Sequence, residues 1–305
     1  MGKNNNKNKK KKKSRKGGLK DDTKLLEGIS NIDISDESGS GASDNNNKCM
    51  EISDEELFKE PPPKEDCPIC LLPIPFASGF CNVNTAYQAC CGKTLCMGCN
   101  VAAGEGAFKG DLKHLCAFCR TPSPLTNEEF IQRCWKRVEL NDTKAMTLLA
   151  GRYKEGCRGV PQNIEKALEL FHRAAELGSC IAHNALGSFY FDGIDVVGKV
   201  VLEPDEKKKL YHYKLAAIGG HEKARHALGC NESHNHKWRR SFKHLMISAR
   251  AGHDESLLCV RNGYDGGYVT KKEYANTLRA HKESQDVMKS QQRVHGLRVL
   301  KSSEF

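Results

Sequence analysis

Between Thr126 and Leu140 the apolar residues Phe130, Ile131, Cys134, Trp135 and Val138 fall three and four positions apart. That is the spacing of one face of a helix. Thr126-Asn127-Glu128-Glu129 opens the run as a capping box, and Thr121-Pro122-Ser123-Pro124 breaks the chain before it. The pattern predicts an amphipathic linker helix within 121–142, with Trp135 as its packing anchor. A similar signal returns near the C-terminus. Thr270-Lys271-Lys272-Glu273 caps a helix with Tyr274, Leu278 and Val287 as its apolar contacts.

Between these helices the apolar pattern repeats. One copy reads Ala145, Leu149, Tyr153, Gly156, then Lys166-Ala167, Ala174-Ala175 and Gly178. The next reads Ala182, Leu186-Gly187, Tyr190, Gly193, an insertion from Ile194 to Pro204, then Ala216-Ala217 and Gly220. A third has Ala224, Leu228-Gly229, Ser248-Ala249 and Gly252, and a degenerate fourth has Ser256, Val260, Tyr264 and Gly267. Leading small residues stand 37, 42 and 32 positions apart. Small residues let two antiparallel helices approach, while Leu and Tyr fill the seam. Gly156 and Gly193 turn the chain within a pair, and Gly178, Gly220 and Gly252 take left-handed positions after a helix. One pair cannot bury its stripe alone, so pairs stack into a solenoid. The pattern resembles the Sel-one-like repeat, a relative of the tetratricopeptide repeat. The resemblance covers roughly 143–285 and implies a helical array that binds another protein.

The insertion reads as an apolar, Val-rich loop. His234, His236, Trp238, Arg239 and Arg240 read as a polar, exposed inter-helix loop. The repeats run over 143–293, with a frayed C-terminus at 294–305.

The N-terminal 66 residues have the opposite composition. Residues 1–20 hold ten basic side chains and no acid. The net charge of the whole chain is +10, so 21–305 is neutral overall. The basic character therefore belongs to a tail, suited to nuclear import or non-specific RNA contact, with no aromatic residue to stack bases. Nucleic-acid contact is confined to that tail. Residues 21–66 are acidic and poor in large apolar side chains, which predicts disorder. Within them Ser53-Asp54-Glu55-Glu56 caps a single helical turn, and Pro61-Pro62-Pro63 makes a stiff spacer. No window offers the ~18 apolar residues of a membrane span. The start carries no secretory signal, and fifteen cysteines then argue for a reducing compartment, cytoplasm or nucleus.

Eight of those cysteines lie between 67 and 120: Cys67, Cys70, Cys90, Cys91, Cys96, Cys99, Cys116 and Cys119. Three C-x-x-C pairs and one adjacent pair make eight thiolates, enough for two tetrahedral Zn2+ ions. A C-x-x-C pair can turn both sulfurs onto one ion while backbone N–H groups bond the thiolates. The segment has few large apolar residues, so metal would replace a core. Cys49, Cys81, Cys134, Cys157, Cys180, Cys230 and Cys259 are scattered and read as small apolar fillers.

Order and spacing resemble a RING-type zinc finger. The resemblance implies interleaved ligands: Cys67, Cys70, Cys96 and Cys99 on one ion, Cys90, Cys91, Cys116 and Cys119 on the other. Lys93 stands where the family places a histidine ligand, and an ammonium cannot coordinate zinc. Cys90 is the nearest replacement, with Cys81 and His114 in reserve. RING fingers hold a ubiquitin-conjugating enzyme charged with ubiquitin in a reactive pose and need no nucleophile. Ile69 matches the apolar contact to the conjugating enzyme. Arg120 matches the arginine, or linchpin, that bridges this enzyme and ubiquitin. Ala117 replaces a common Pro, and Phe108 or Leu112 takes the place of the usual partner-binding aromatic.

The chain thus reads as mostly α: a disordered tail (1–66), a two-zinc cross-brace module (67–120), a linker helix (121–142) and a Sel-one-like solenoid. The expected function is a ubiquitin ligase whose repeats bind a substrate protein or adaptor. A non-catalytic zinc-binding scaffold is the alternative, and an RNA- or membrane-associated adaptor led by the lysine tail is a third reading.

Overall fold

A computed structural model describes residues 52–74, 85–108, 115–196 and 199–302. From Asn127 onward the chain is a ladder of helices. α3 (Asn127–Glu139), α4 (Thr143–Glu155), α5 (Ile164–Glu176) and α6 (Cys180–Asp192) lead into α7 (Glu206–Ile218), α8 (Glu222–His234) and α9 (Trp238–Arg250). α10 (Asp254–Asp265), α11 (Lys271–Val287) and α12 (Gln291–Ser302) complete it. Ahead of the ladder come the single turn α1 (Asp54–Leu57), the hairpin of β1 (Thr85–Gln88) with β2 (Lys93–Cys96), and α2 (Met97–Phe108).

Side-chain caps set the helix starts. Thr126, Asp142, Asn163, Ser179, Asp205 and Thr270 each accept a backbone N–H from the first turn, satisfying donors that the helix cannot. Thr270 and Glu273 form the reciprocal capping box. The second helix of a pair ends at Gly178, Gly220 or Gly252, with φ of 83°, 88° and 102°. A side chain there would strain the backbone, so the small residue recurs at that position.

The main core holds Ala145, Leu149, Ala167, Phe171, Ala174, Ala182 and Leu186, all fully buried. The small positions set the helix spacing. A Cβ on Gly187 would sit 2.5 Å from the Tyr213 ring, and one on Gly229 2.8 Å from Leu245.

Six expectations are corrected. The stretch from His234 to Arg240 is not a loop throughout: His234 ends α8, Trp238, Arg239 and Arg240 open α9, and only 235–237 connect them. Residues 121–142 do not merely link, because Cys134 and Val138 lie in the same core as α4 and α5. The insertion is no loop: β3 (Ile194–Val196) pairs antiparallel with β4 (Lys199–Leu202), as a β-branched run favours. Residues 294–302 are not frayed but belong to α12, which packs on α2. Leu278 and Val287 are exposed, and α11 buries Thr277 and His281 instead. Residues 52–66 are not disordered: Leu57 is buried with Tyr213, Ala216, Ala217, Ala224 and Leu228. The basic tail 1–20, Cys49, Cys81, Leu112 and His114 lie outside the described residues.

Candidate metal centres

The two C-x-x-C pairs at the ends of the cysteine segment fold alike. In each, the backbone turns back on itself, so Leu71 N–H donates to the Cys67 carbonyl at 2.8 Å and Arg120 N–H to the Cys116 carbonyl at 3.1 Å. Cys67 N–H reaches the Leu72 carbonyl and Cys116 N–H the Thr121 carbonyl, both at 2.9 Å. Leu71 and Arg120 take the left-handed conformation, φ 55° and 59°, at the same place in each turn. The bridges Asp66 to Pro73 and Leu115 to Pro122 close the two loops. Cys67–Pro73 and Cys116–Pro122 share the pattern C-x-x-C-x-x-P, so Ile69 corresponds to Phe118 and Leu71 to Arg120. Ile69, Leu71, Phe118 and Arg120 are all exposed.

The hairpin β1–β2 and the start of α2 carry the other four thiols. They bring the eight cysteines into two groups, Cys67, Cys70, Cys96 and Cys99, and Cys90, Cys91, Cys116 and Cys119. Within each group all sulfurs lie within 4.8 Å of one another. Cys70 Sγ is 3.8 Å from Cys96 Sγ, and Cys91 Sγ is 3.7 Å from Cys116 Sγ. Four ligands at ~2.3 Å from a tetrahedral zinc stand about 3.8 Å apart, so both groups fit that ion. Among the described residues no third cluster of His, Cys, Asp or Glu converges in this way. His234 and His236 are exposed.

Backbone contacts favour thiolate at Cys67 in the first group, while burial pushes Cys96 and Cys99 upward. Cys96 N–H donates to Cys67 Sγ and Cys99 N–H to Cys96 Sγ, each at 3.4 Å. Burial opposes ionisation of Cys67, but N–H groups of Cys70, Cys96 and Ile69 outweigh it and bring its thiol down to about 6. In the second group Thr121 beside the exposed Cys119 lowers that thiol to about 6, while burial pushes Cys90 and Cys91 upward.

Two supports had no local signal. Arg293, on α12, is buried; its guanidinium donates to Cys70 Sγ at 3.6 Å and to the carbonyls of Leu72, Pro73 and Met288 at 2.8–3.0 Å. A Zn(Cys)4 centre carries excess negative charge, which a buried guanidinium balances. Beside the second group, Tyr87 Oη donates to Asp142 Oδ2 at 2.8 Å, where Arg137 donates twice at 2.9 and 3.0 Å. Gly92, φ 75°, lies against that triad; a Cβ there would stand 2.2 Å from Arg137 Nη2.

Comparison with known proteins places the repeats. A family model described as Sel1 repeat matches residues 143–179 and 180–221. Protein sel-1 homolog 2 of Homo sapiens is 32% identical over 126 residues, 41% of this chain and 17% of that relative. The chain therefore spans under a fifth of that relative's length. Among solved structures, the Sel1 repeat protein from Oxalobacter formigenes is 20% identical, with 54% of this chain and 66% of that one covered and a TM-score of 0.43. The protective antigen c5321 of uropathogenic Escherichia coli, which displays an SLR fold, is 17% identical, with 66% and 43% covered and a TM-score of 0.39. Residues 143–221 thus match Sel1 repeats, beside two cysteine groups that could each hold a metal ion.

Proposed function

We propose that this chain is a zinc-braced, RING-type ubiquitin ligase whose Sel1 repeats hold the protein to be modified. The observation that carries the reading is the interleaving of the eight thiols: residues 67–70 join 96–99, and residues 90–91 join 116–119. Interleaved sites tie remote segments of a small module together, which suits a rigid platform for another enzyme. Zinc supplies structure there. Exposed Ile69 gives the conjugating enzyme an apolar contact. Arg120, exposed on the matching turn, offers its fork of donors to that enzyme and ubiquitin together. Transfer then proceeds by positioning, with no covalent intermediate on this chain.

Autoubiquitination in a reconstituted mixture tests the reading. Product is expected with the wild type and lost with Ile69→Ala or Arg120→Ala while native mass spectrometry still counts two zincs. Cys90→Ala should drop the count to one. Two zincs with no product across several conjugating enzymes would sink the ligase reading.

A second reading is favoured by the exposed Lys93 and by Ala117, which stand where the RING family has histidine and proline. There the module is a docking scaffold, and Ile69→Ala leaves conjugating-enzyme binding unchanged.

A further inference from the structure

We infer that the groove lined by α7, α8 and α9 is a receptor site for an acidic amphipathic peptide, which residues 52–60 occupy as a displaceable ligand in cis. The inference does not depend on ligase activity. The segment reads Ile52-Ser53-Asp54-Glu55-Glu56-Leu57-Phe58: three acids in a row, then an apolar pair. The groove is complementary in both respects. Leu57 inserts among Tyr213, Ala216, Ala217, Ala224 and Leu228. Buried Arg225 donates to the Leu57 carbonyl at 2.5 Å and to the Ala217 carbonyl at 2.8 Å. Arg240 pairs with Asp54 and, at 3.0 Å, with Glu232. Lys243 Nζ lies 3.9 Å from the centre of the Phe58 ring, and Arg240 5.2 Å from it. Backbone capture, an apolar anchor and charge pairing together are how grooves hold short helical peptides.

Two observations mark the segment as a ligand rather than a core element. His244 on α9 is fully buried beneath Phe58, ring centres 4.5 Å apart, and neither ring nitrogen has a hydrogen-bond partner. A buried polar group left unpaired is costly, so Phe58 fills the space without satisfying the site. A peptide that brings a carboxylate or amide to that imidazole, amid Arg225, Arg240, Lys243 and Lys214, is the better occupant. The second observation is local. α1 is four residues long, far below the ~12–15 at which a helix begins to hold on its own. Meanwhile α7, α8 and α9 complete their pairing with one another.

The test uses the full chain and a fluorescent synthetic peptide of residues 52–64. Leu57→Asp with Phe58→Ala empties the groove, and this variant should bind the peptide at least tenfold more tightly than wild type. Binding should weaken with salt and disappear when Asp54, Glu55 and Glu56 of the peptide become amides. Arg240→Ala with Lys243→Ala alters only groove-rim side chains; it should abolish peptide binding and speed amide exchange of residues 54–58. Equal affinity for wild type and the emptied variant would overturn the inference. Loss of the cooperative melt in the emptied variant would also do so, because 52–60 would then be a core element. So would unchanged exchange in the rim variant.

Discussion

Acid should weaken the repeats through histidines that cap or line their helices in the neutral form. His221 is the most informative. It caps α8, its Nδ1 accepting the Ala224 N–H at 3.4 Å, and it is 2% exposed. Burial, then the charges of Lys223 and His253, bring its imidazole down to about 4. An unfolded histidine titrates near ~6.5. The folded value is the lower one, so the stabilisation is complete above ~6.5 and is lost as pH falls from there towards about 4. At pH ~5 the unfolded chain has gained about 1.5 pH units of protonation free energy that the folded chain lacks. At ~1.36 kcal/mol per unit this is about 2 kcal/mol. In a folded part of this size that shifts the melting temperature by about 4–8 °C.

Protonation of the clustered cysteines would also release any metal they hold and lower stability in acid, so a difference isolates the histidine. His221→Asn keeps a capping oxygen and removes the titration. Melts followed by circular dichroism at several pH values from ~7.5 to ~5 should fall for both proteins. The wild type should fall by about 4–8 °C more. Parallel curves would refute the assignment of the acid loss to His221.

Three other outcomes are expected. Gly92→Ala forces a side chain into φ 75° and against the Arg137 guanidinium; denaturant titration should show a loss of ~1–3 kcal/mol. Arg293→Gln removes the guanidinium from Cys70, and chelator competition should show one zinc held about 10–100-fold more weakly with the other unchanged. Leu149→Ala, at a fully buried site, should cost ~2–5 kcal/mol in the same titration.

The elements legible in the sequence were those whose signal is local. The repeat spacing and the caps at Thr126 and Thr270 all act within a few residues, and each stands in the structure where the spacing implies. Residues 52–66 were misread because one buried leucine, Leu57, sits among acids, and composition averages such a residue away. The helix α12 escaped for a related reason. Its buried positions are Arg293 and Gly296, the reverse of an apolar stripe. Gly296 lets the backbone approach Gly98, 2.7 Å from where a Cβ would stand, and Arg293 satisfies carbonyls 220 residues away. Neither contact leaves a periodic trace. In α11, likewise, apolar Leu278 and Val287 face out while His281 meets Asp254 at 3.0 Å.

These long-range contacts share a consequence. The cysteine module is fastened to the repeats at both ends of the ladder. Tyr87 bonds the aspartate that caps α4, and Glu65 pairs with Lys144 at 2.5 Å in the same helix. At the other end Lys64 donates to the Ala251 carbonyl at 2.7 Å, and Arg293 holds Leu72 and Pro73. An exposed ion pair such as Glu65–Lys144 contributes little alone. The buried guanidinium and the Tyr87–Asp142–Arg137 triad contribute more, because separating them strands polar groups. The module therefore cannot turn against the repeats without breaking contacts to helices far apart in the sequence. A ligase or a scaffold built in this way fixes the distance between Arg120 and anything held by α7, α8 and α9. A flexible linker would leave that distance to chance.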